Sequence, residues 1–344
     1  MYDEVIKKIL ETVDGNFLSA NYPKFSGEGY RAYKIDSKNF HEIKNIDSNQ
    51  KIVFVDGGNA EIIGAKNFSL SLIRVGYVIY QGVEKISAKK FEVLAFVQAI
   101  SQNNEIYYKA TFFTANSRIK LEEMSFSSFD HTLMNGMNRA EIGSVATAIR
   151  RFAELKIAKL ASDEKIADII VLDGSIQVTL TDENKHLNKL YESCSKNNVV
   201  LAALSKTTSL FTDNGNLLSA VLVNLGRIPT WFYYPIVEIN SQNYKAEMFF
   251  AKLHKNSRHV FKIEFFKDQK AKAEESINLL AKNCVDPIFI GYPYGLVEAD
   301  RIARISNQER ESLRTIFLVK LRNNNIEKYL NSSNAHEILD SISF

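Results

Sequence analysis

The sequence predicts an α/β fold: a mixed sheet flanked by helices. Between residues 51 and 114, apolar runs rich in Val, Ile and Phe follow one another with short polar breaks, the pattern of an antiparallel meander. Further on, strand-like runs at 166–175 and 199–204 enclose a helical stretch, which is a β-α-β unit with a right-handed crossover. No Pro-, Gly- or Ser-rich linker divides the 344 residues, a length that suits one large domain or two ordinary ones.

In chain order, Val5, Ile6, Ile9, Leu10 and Val13 form one stripe, predicting a short amphipathic helix that braces the rest of the molecule. Lys51 to Gly58 is a continuous apolar run closed by Asp56-Gly57-Gly58, a strand buried on both faces. Strands are expected around 70–80, 90–97 and 105–114. From Asn138 to Ala161, Ile142, Val145, Ile149 and Phe152 recur at intervals of three and four, predicting the longest helix. Ile166 to Ser175 is a second buried strand, 182–195 a helix, and Val199 to Leu204 a third strand. Strands at 231–239, 246–253 and 259–266 precede helices at 270–282, 296–305 and 308–321.

Composition narrows the function. Hydrophobic residues at 45% and charged ones at 24% exclude a disordered or fibrous chain. With 43 Lys+Arg against 40 Asp+Glu, an anionic partner has to be held by a local patch rather than a global field. Cys194 and Cys284 are too few for a disulfide framework or a Cys-rich zinc site, so a reducing, cytoplasmic setting is expected. No apolar stretch approaches the ~18 residues of a membrane span, and Met1-Tyr2-Asp3-Glu4 lacks the basic-then-apolar plan of a signal peptide.

The sharpest signal is an echo. Phe54-Val55-Asp56-Gly57-Gly58 and Val171-Leu172-Asp173-Gly174-Ser175 both end a buried strand with an aspartate. Asp-Gly also makes ordinary turns. If the two strands are parallel neighbours, about 4.8 Å apart, the carboxylates converge at one sheet edge and repel unless a cation lies between them. Hard divalent ions such as Mg²⁺ or Mn²⁺ prefer such oxygens. The preceding helix offers Glu141 or Glu154 as a third carboxylate. Counted back from a helix end near Ser162, Glu154 lies ~12 Å up the helix, close to the ~17 Å at which Asp173 stands along its strand. Glu141 would overshoot, at ~31 Å. Glu154 is therefore the candidate, although Arg150 and Arg151 are also placed to pair with it.

Weaker signals surround these. Ser205-Lys206-Thr207 lacks the glycines of a P-loop, but Lys206 beside clustered carboxylates could contact a phosphate. His254 and His259 flank a basic turn with Lys252, Lys255 and Arg258, either solvated or phosphate-contacting. The tyrosines of Gly291-Tyr292-Pro293-Tyr294-Gly295 either pack at a helix start or stack on unpaired bases.

Together these pieces resemble the NurA family of DNA-repair nucleases: Val53 to Gly57, Arg150 to Ala158, Ile170 to Ser175, Ser205-Lys206-Thr207, and Gly291 to Leu296 followed by Ala299-Asp300. The resemblance implies a ribonuclease H-like mixed sheet with an N-terminal helical brace and a C-terminal helical extension. It further implies one nuclease domain, with an N-terminal segment (1–50), a core (51–240) and a part completing the site (241–344). Also implied are two bound ions, Mn²⁺ or Mg²⁺, held by Asp56, Glu154 and Asp173, with Tyr292 near the site. Where the family often has His, this chain has Asp300. The expected activity is exonuclease and single-strand endonuclease cleavage in end resection during double-strand break repair, by a homodimer working with a hexameric HerA-type ATPase. Rival readings are an actin-like or sugar-kinase-like phosphotransferase, whose phosphate loops need more glycine, and a catalytically silent adaptor guiding DNA to a motor.

Overall fold

The computed structural model describes residues 1–13, 22–115, 119 and 121–322. Among these, one mixed sheet of eleven strands organises the chain. Its centre is β4 (Lys51–Ala65), paired along its length with antiparallel β5 (Phe68–Gln81). The meander continues through β6 (Glu84–Gln102), β7 (Glu105–Phe113) and β8 (Met124–Ser127). On the other side of β4 lies parallel β9 (Ile169–Asp173), then parallel β10 (Val200–Ser205). Three antiparallel strands followed by two parallel ones form the centre, in the spatial order β6-β5-β4-β9-β10. Beyond β10 the sheet extends through β15 (Phe261–Phe266), β14 (Ala246–Lys252), β12 (Trp231–Tyr233) and β3 (Phe40–Glu42). Small two-stranded sheets join β1 (Pro23–Lys24) to β11 (Phe211–Thr212) and β2 (Tyr30–Ala32) to β13 (Val237–Ile239).

Helices cover both faces of the centre. On one face, α2 (Val145–Asp163) packs against β4, β5 and α3 (Glu183–Asn197). Val53, Val55, Ile170 and Leu172 share a core with Ile149, Phe152 and Leu187 there. On the other, α6 (Tyr294–Ala303) lies on β4 and β5, and α5 (Ala273–Lys282) joins the same core. The pleat explains the division, since alternate side chains of a strand point to opposite faces. Phe54 and Val171 belong to the α6 side, with Tyr292 and Leu296. Close approach of α6 needs glycine: a Cβ on Gly58 would collide with the Ala303 carbonyl, and one on Gly295 with the Phe54 ring. Helix α4 (Leu218–Leu225) and α7 (Asn307–Leu321) complete the set, with Arg74 of β5 tying α7 down through Glu309.

Four expectations change. The strand expected to close at Asp56-Gly57-Gly58 runs on to Ala65, because Gly57 and Gly58 make no turn but pair with Val75 and Arg74 of β5 and leave room for Glu154 and the Ala303 carbonyl. The helix expected from Asn138 starts at Val145 after a 3₁₀ turn at Ile142–Ser144, because the Ala140 N–H bonds the Ser128 carbonyl at 2.8 Å and holds the preceding chain extended. The run 231–239 is two strands in different sheets, parted at Pro235, which has no N–H for a ladder. Helix α1 (Tyr2–Val13) forms, but among the described residues its stripe finds nothing to brace: Val5, Ile6, Ile9 and Leu10 remain 53–55% exposed. Among the described residues no helix is long and apolar enough to cross a membrane.

Candidate active site

The two aspartates of the echo stand side by side. Parallel pairing of β4 with β9 ends at Val55 and Leu172, so Asp56 and Asp173 are the next residues on neighbouring strands. There the strands part: β4 continues with β5, while β9 stops and the chain turns at Gly174, whose φ of +102° suits glycine. The cleft so opened, about 310 Å³, is lined by Asp56, Asp173, Glu154, Arg150, Arg151 and Glu183, among others.

Glu154 reaches the cleft from the opposite face. Asp56 shares the parity of Phe54 and so belongs to the α6 face, whereas Glu154 comes from α2 and lies over Gly57. A Cβ on Gly57 would stand 2.7 Å from Glu154 Oε1, so glycine is what admits the carboxylate. Arg150 Nη1 bonds both Glu154 Oε1 (2.7 Å) and the Gly57 carbonyl (2.9 Å). Arg151 lies 3.6 Å from Glu154 Oε2 and donates from Nε to Glu183 at 2.8 Å. Burial raises the Glu154 carboxyl above its ordinary range, although the two arginines oppose this.

Asp56 is different. It is 6% exposed and accepts the Gly57 N–H at 2.7 Å, with no lysine or arginine in ion-pair contact among the described residues. Burial, then the charges of Asp173 and Glu154, push its carboxyl up to about 7. Asp173 is held instead by Lys206 Nζ at 2.6 Å. Burial pulls the Lys206 ammonium down, but Asp173, Asp56 and Asp300 more than compensate and leave it raised. Asp300, on α6, is exposed and 4.0 Å from Lys206. The Lys206 ammonium also sits 5.8 Å from the centre of the Tyr292 ring.

Tyr292 is 1% exposed, which rules out stacking on a base. Its hydroxyl is raised by burial and by the charges of Asp173, Asp56 and Asp300, and it has no partner among the described residues. Tyr294 packs edge-on against Tyr80 and bonds Glu298 at 3.3 Å. The basic turn after β14 folds back on Gly291 through Ser257, and His259 packs on Phe289. Glu141 lines a separate cavity with Glu61 and Arg139.

Two supporting carboxylates escaped the sequence reading. Fully buried Glu183 accepts N–H bonds from Thr179 (2.7 Å) and Leu180 (3.1 Å) as well as the Arg151 contact, fixing the start of α3 beside the cleft. Fully buried Glu264 on β15 accepts from Ser175 Oγ (2.8 Å) and Ile176 N (2.9 Å), anchoring the turn after Asp173. A glutamate inside the apolar run Phe261–Phe266 was the available signal, because a buried charge requires dedicated partners.

In chemical terms the donor set is three carboxylates, hard oxygens suited to Mg²⁺ or Mn²⁺. Among the described residues no three acidic, His or Cys side chains already stand in ligating positions. Glu154 is turned to its arginines and Asp173 to Lys206. A cation would meet Asp56 uncompensated and compete with Arg150, Arg151 and Lys206 for the others. The residues fit a divalent ion on these terms.

The sequence model of the NurA domain matches residues 50–305, most of the chain. The chain belongs to the NurA family. The crystal structure of the NurA nuclease from Sulfolobus solfataricus is similar in fold, with a TM-score of 0.52 at 16% identity over 94% of this chain and 97% of that one. The catalytic domain of human endonuclease V matches with a TM-score of 0.38 at 10% identity, over 91% of this chain and 98% of that one. No curated protein matches the sequence. The segment matched to the NurA domain contains all six candidates: Asp56, Glu154, Asp173, Lys206, Tyr292 and Asp300.

Proposed function

We propose that this chain is a nuclease that hydrolyses DNA phosphodiester bonds with divalent metal, Mn²⁺ or Mg²⁺, bound through Asp56, Asp173 and Glu154. The observation that carries the reading is Asp56: buried, beside two further carboxylates, and without a basic side chain in ion-pair contact among the described residues. Membership of the NurA family and the fold shared with the Sulfolobus nuclease support it. Asp56, Asp173 and Glu154 would hold the ion, which would supply Lewis acidity for phosphodiester hydrolysis.

The chain's own residues supply the rest. Lys206, held at the cleft by Asp173, is placed to offset charge developing on phosphate oxygens. The Tyr292 hydroxyl, without a partner among the described residues, can donate to a ligand oxygen. Arg150 and Arg151 hold Glu154 in position, and Asp300 biases Lys206 from the cleft's outer side. Following the family resemblance, the proposal extends to exonuclease and single-strand endonuclease cleavage in end resection, by a homodimer partnered with a HerA-type ATPase in the cytoplasm.

The test incubates purified protein with end-labelled linear duplex and single-stranded DNA in Mn²⁺, Mg²⁺ or chelator. Cleavage that needs metal and disappears in Asp56→Asn and Asp173→Asn supports the proposal. ATP turnover without DNA cleavage, or a chain that neither cuts DNA nor binds Mn²⁺, contradicts it.

A further inference from the structure

A second cavity, of about 670 Å³, adjoins the carboxylate cleft, with Gln177 lining both. Its chemistry is the opposite of the cleft's. Lys24 and Lys262 line it and no carboxylate does, whereas the other described cavities all carry acidic residues in their walls. One wall is aromatic: Phe25 and Tyr30 stack with ring centres 5.4 Å apart at 12°, and Phe211, 48% exposed, lies at the rim. The hydroxyl run Thr207-Thr208-Ser209, which begins one residue after Lys206, lines the same cavity. Its volume falls within the range of small-ligand clefts, room for a short piece of one strand rather than a duplex.

We propose that this groove binds the unpaired DNA segment flanking the scissile phosphate, with Phe25, Tyr30 and Phe211 stacking on bases and Lys24 meeting the backbone. The proposal rests on the nuclease reading above and assigns it a strand-holding surface. Rings beside lysines and hydroxyls are what single strands bind without sequence preference, since every base has a π-face and every link a phosphate. Lys262 is held at 2.5 Å by Glu264 behind the wall, so Lys24, exposed and with no carboxylate among its lining neighbours, is the cation most available to phosphate. Continuity with the cleft gives the strand its direction, past Gln177 and Lys206 toward Asp173.

The groove also touches the catalytic strand end. Tyr30 packs edge-on against Tyr244 at 6.4 Å, and the Tyr244 hydroxyl bonds Glu264, which holds Ser175 and Ile176 just beyond Asp173. Phe25, Tyr30 and Lys24 precede the segment matched to the NurA domain, which begins at residue 50. The aromatic wall is thus assembled partly from chain outside the matched segment.

The test measures binding of a fluorescent twelve-nucleotide oligothymidylate in chelator by anisotropy, and cleavage of the same oligonucleotide against bis(p-nitrophenyl) phosphate in Mn²⁺. Lys24→Glu and Phe211→Ala alter exposed side chains; Phe25→Ala tests the half-buried ring. The same charge reversal at exposed Lys196, outside the groove, is the control. Expected is a roughly ten-fold loss of oligonucleotide affinity in the groove variants. The ratio of kcat/KM for DNA over the small diester should fall by a similar factor. Wild-type affinity in both Lys24→Glu and Phe211→Ala overturns the groove, as does equal sensitivity of a duplex of the same length. If wild-type protein cuts neither substrate but its binding still depends on Lys24 and Phe211, the nuclease reading fails and the groove stands.

Discussion

Neutralising Asp56 should make the metal-free protein more stable at neutral and alkaline pH. In the folded chain its carboxyl sits at about 7 instead of the ordinary 3.8, so the folded state holds the proton more tightly than the unfolded state. A raised carboxyl favours folding below the lower value and costs stability as pH climbs through the upper one. Across that window the loss is about 1.4 kcal/mol per pH unit, a ceiling of about 4 kcal/mol above pH 7. Asp56→Asn removes the charge while its amide oxygen can still accept the Gly57 N–H. Taking half to all of the ceiling and an unfolding entropy of about 2.1 cal/mol/K per residue over 344 residues, the variant should melt about 3–6 °C above wild type at pH 8 in chelator. The gain should shrink through pH 6 and vanish near pH 4. Added Mn²⁺ should reverse the order at pH 8 by stabilising wild type alone. Calorimetric melts from pH 4 to 8 measure all three. An Asp56→Asn protein no more stable than wild type at pH 8 would refute the idea that the cleft carries uncompensated negative charge.

Gly57→Ala should abolish cleavage with modest loss of stability, because the new Cβ meets Glu154 Oε1 at 2.7 Å and Val75 Cγ1 at 2.9 Å; gel assays of end-labelled DNA check it. Lys206→Met frees Asp173, so Mn²⁺ affinity by calorimetric titration should hold or rise while kcat falls about 10²-fold, the scale of losing one charge-stabilising donor. Arg151→Met strands Glu183 in the interior and should cost about 3–5 kcal/mol in urea unfolding, whereas Arg151→Met with Glu183→Leu should recover part of that loss. Tyr292→Phe should leave the melting temperature of the metal-free chain unchanged or higher, since the hydroxyl has no partner among the described residues, and should slow cleavage.

The central strands were legible because their cause is local. Apolar runs reported β4 and β9, though Asp-Gly closes only β9, and the repeat of three and four reported α2. Proximity of Asp56 to Asp173 followed from parallel pairing that ends at Val55 and Leu172, although only β9 stops there while β4 runs on to Ala65 beside β5. The level of Glu154 followed from helix rise, but its side did not: strand parity puts Asp56 on the α6 face and Glu154 over Gly57 on the α2 face, a distinction that needs the sheet's sidedness. The start of α2 was hidden by a long-range bond between Ala140 and Ser128. Glu183 and Glu264 were hidden because their partners come from distant segments, Arg151 for one and Ser175 with Tyr244 for the other. The α1 stripe was read correctly as amphipathic, yet periodicity cannot say whether a partner surface lies within the same chain.

The most direct measurement of the central claim is Mn²⁺ binding followed by electron paramagnetic resonance, which registers loss of the free aquo-ion signal. Wild-type protein at pH 7.5 should sequester the ion, and Asp56→Asn combined with Asp173→Asn should leave it free while retaining the wild-type circular dichroism spectrum. Equal sequestration by the folded double variant would place the metal elsewhere and contradict the assignment of the cleft.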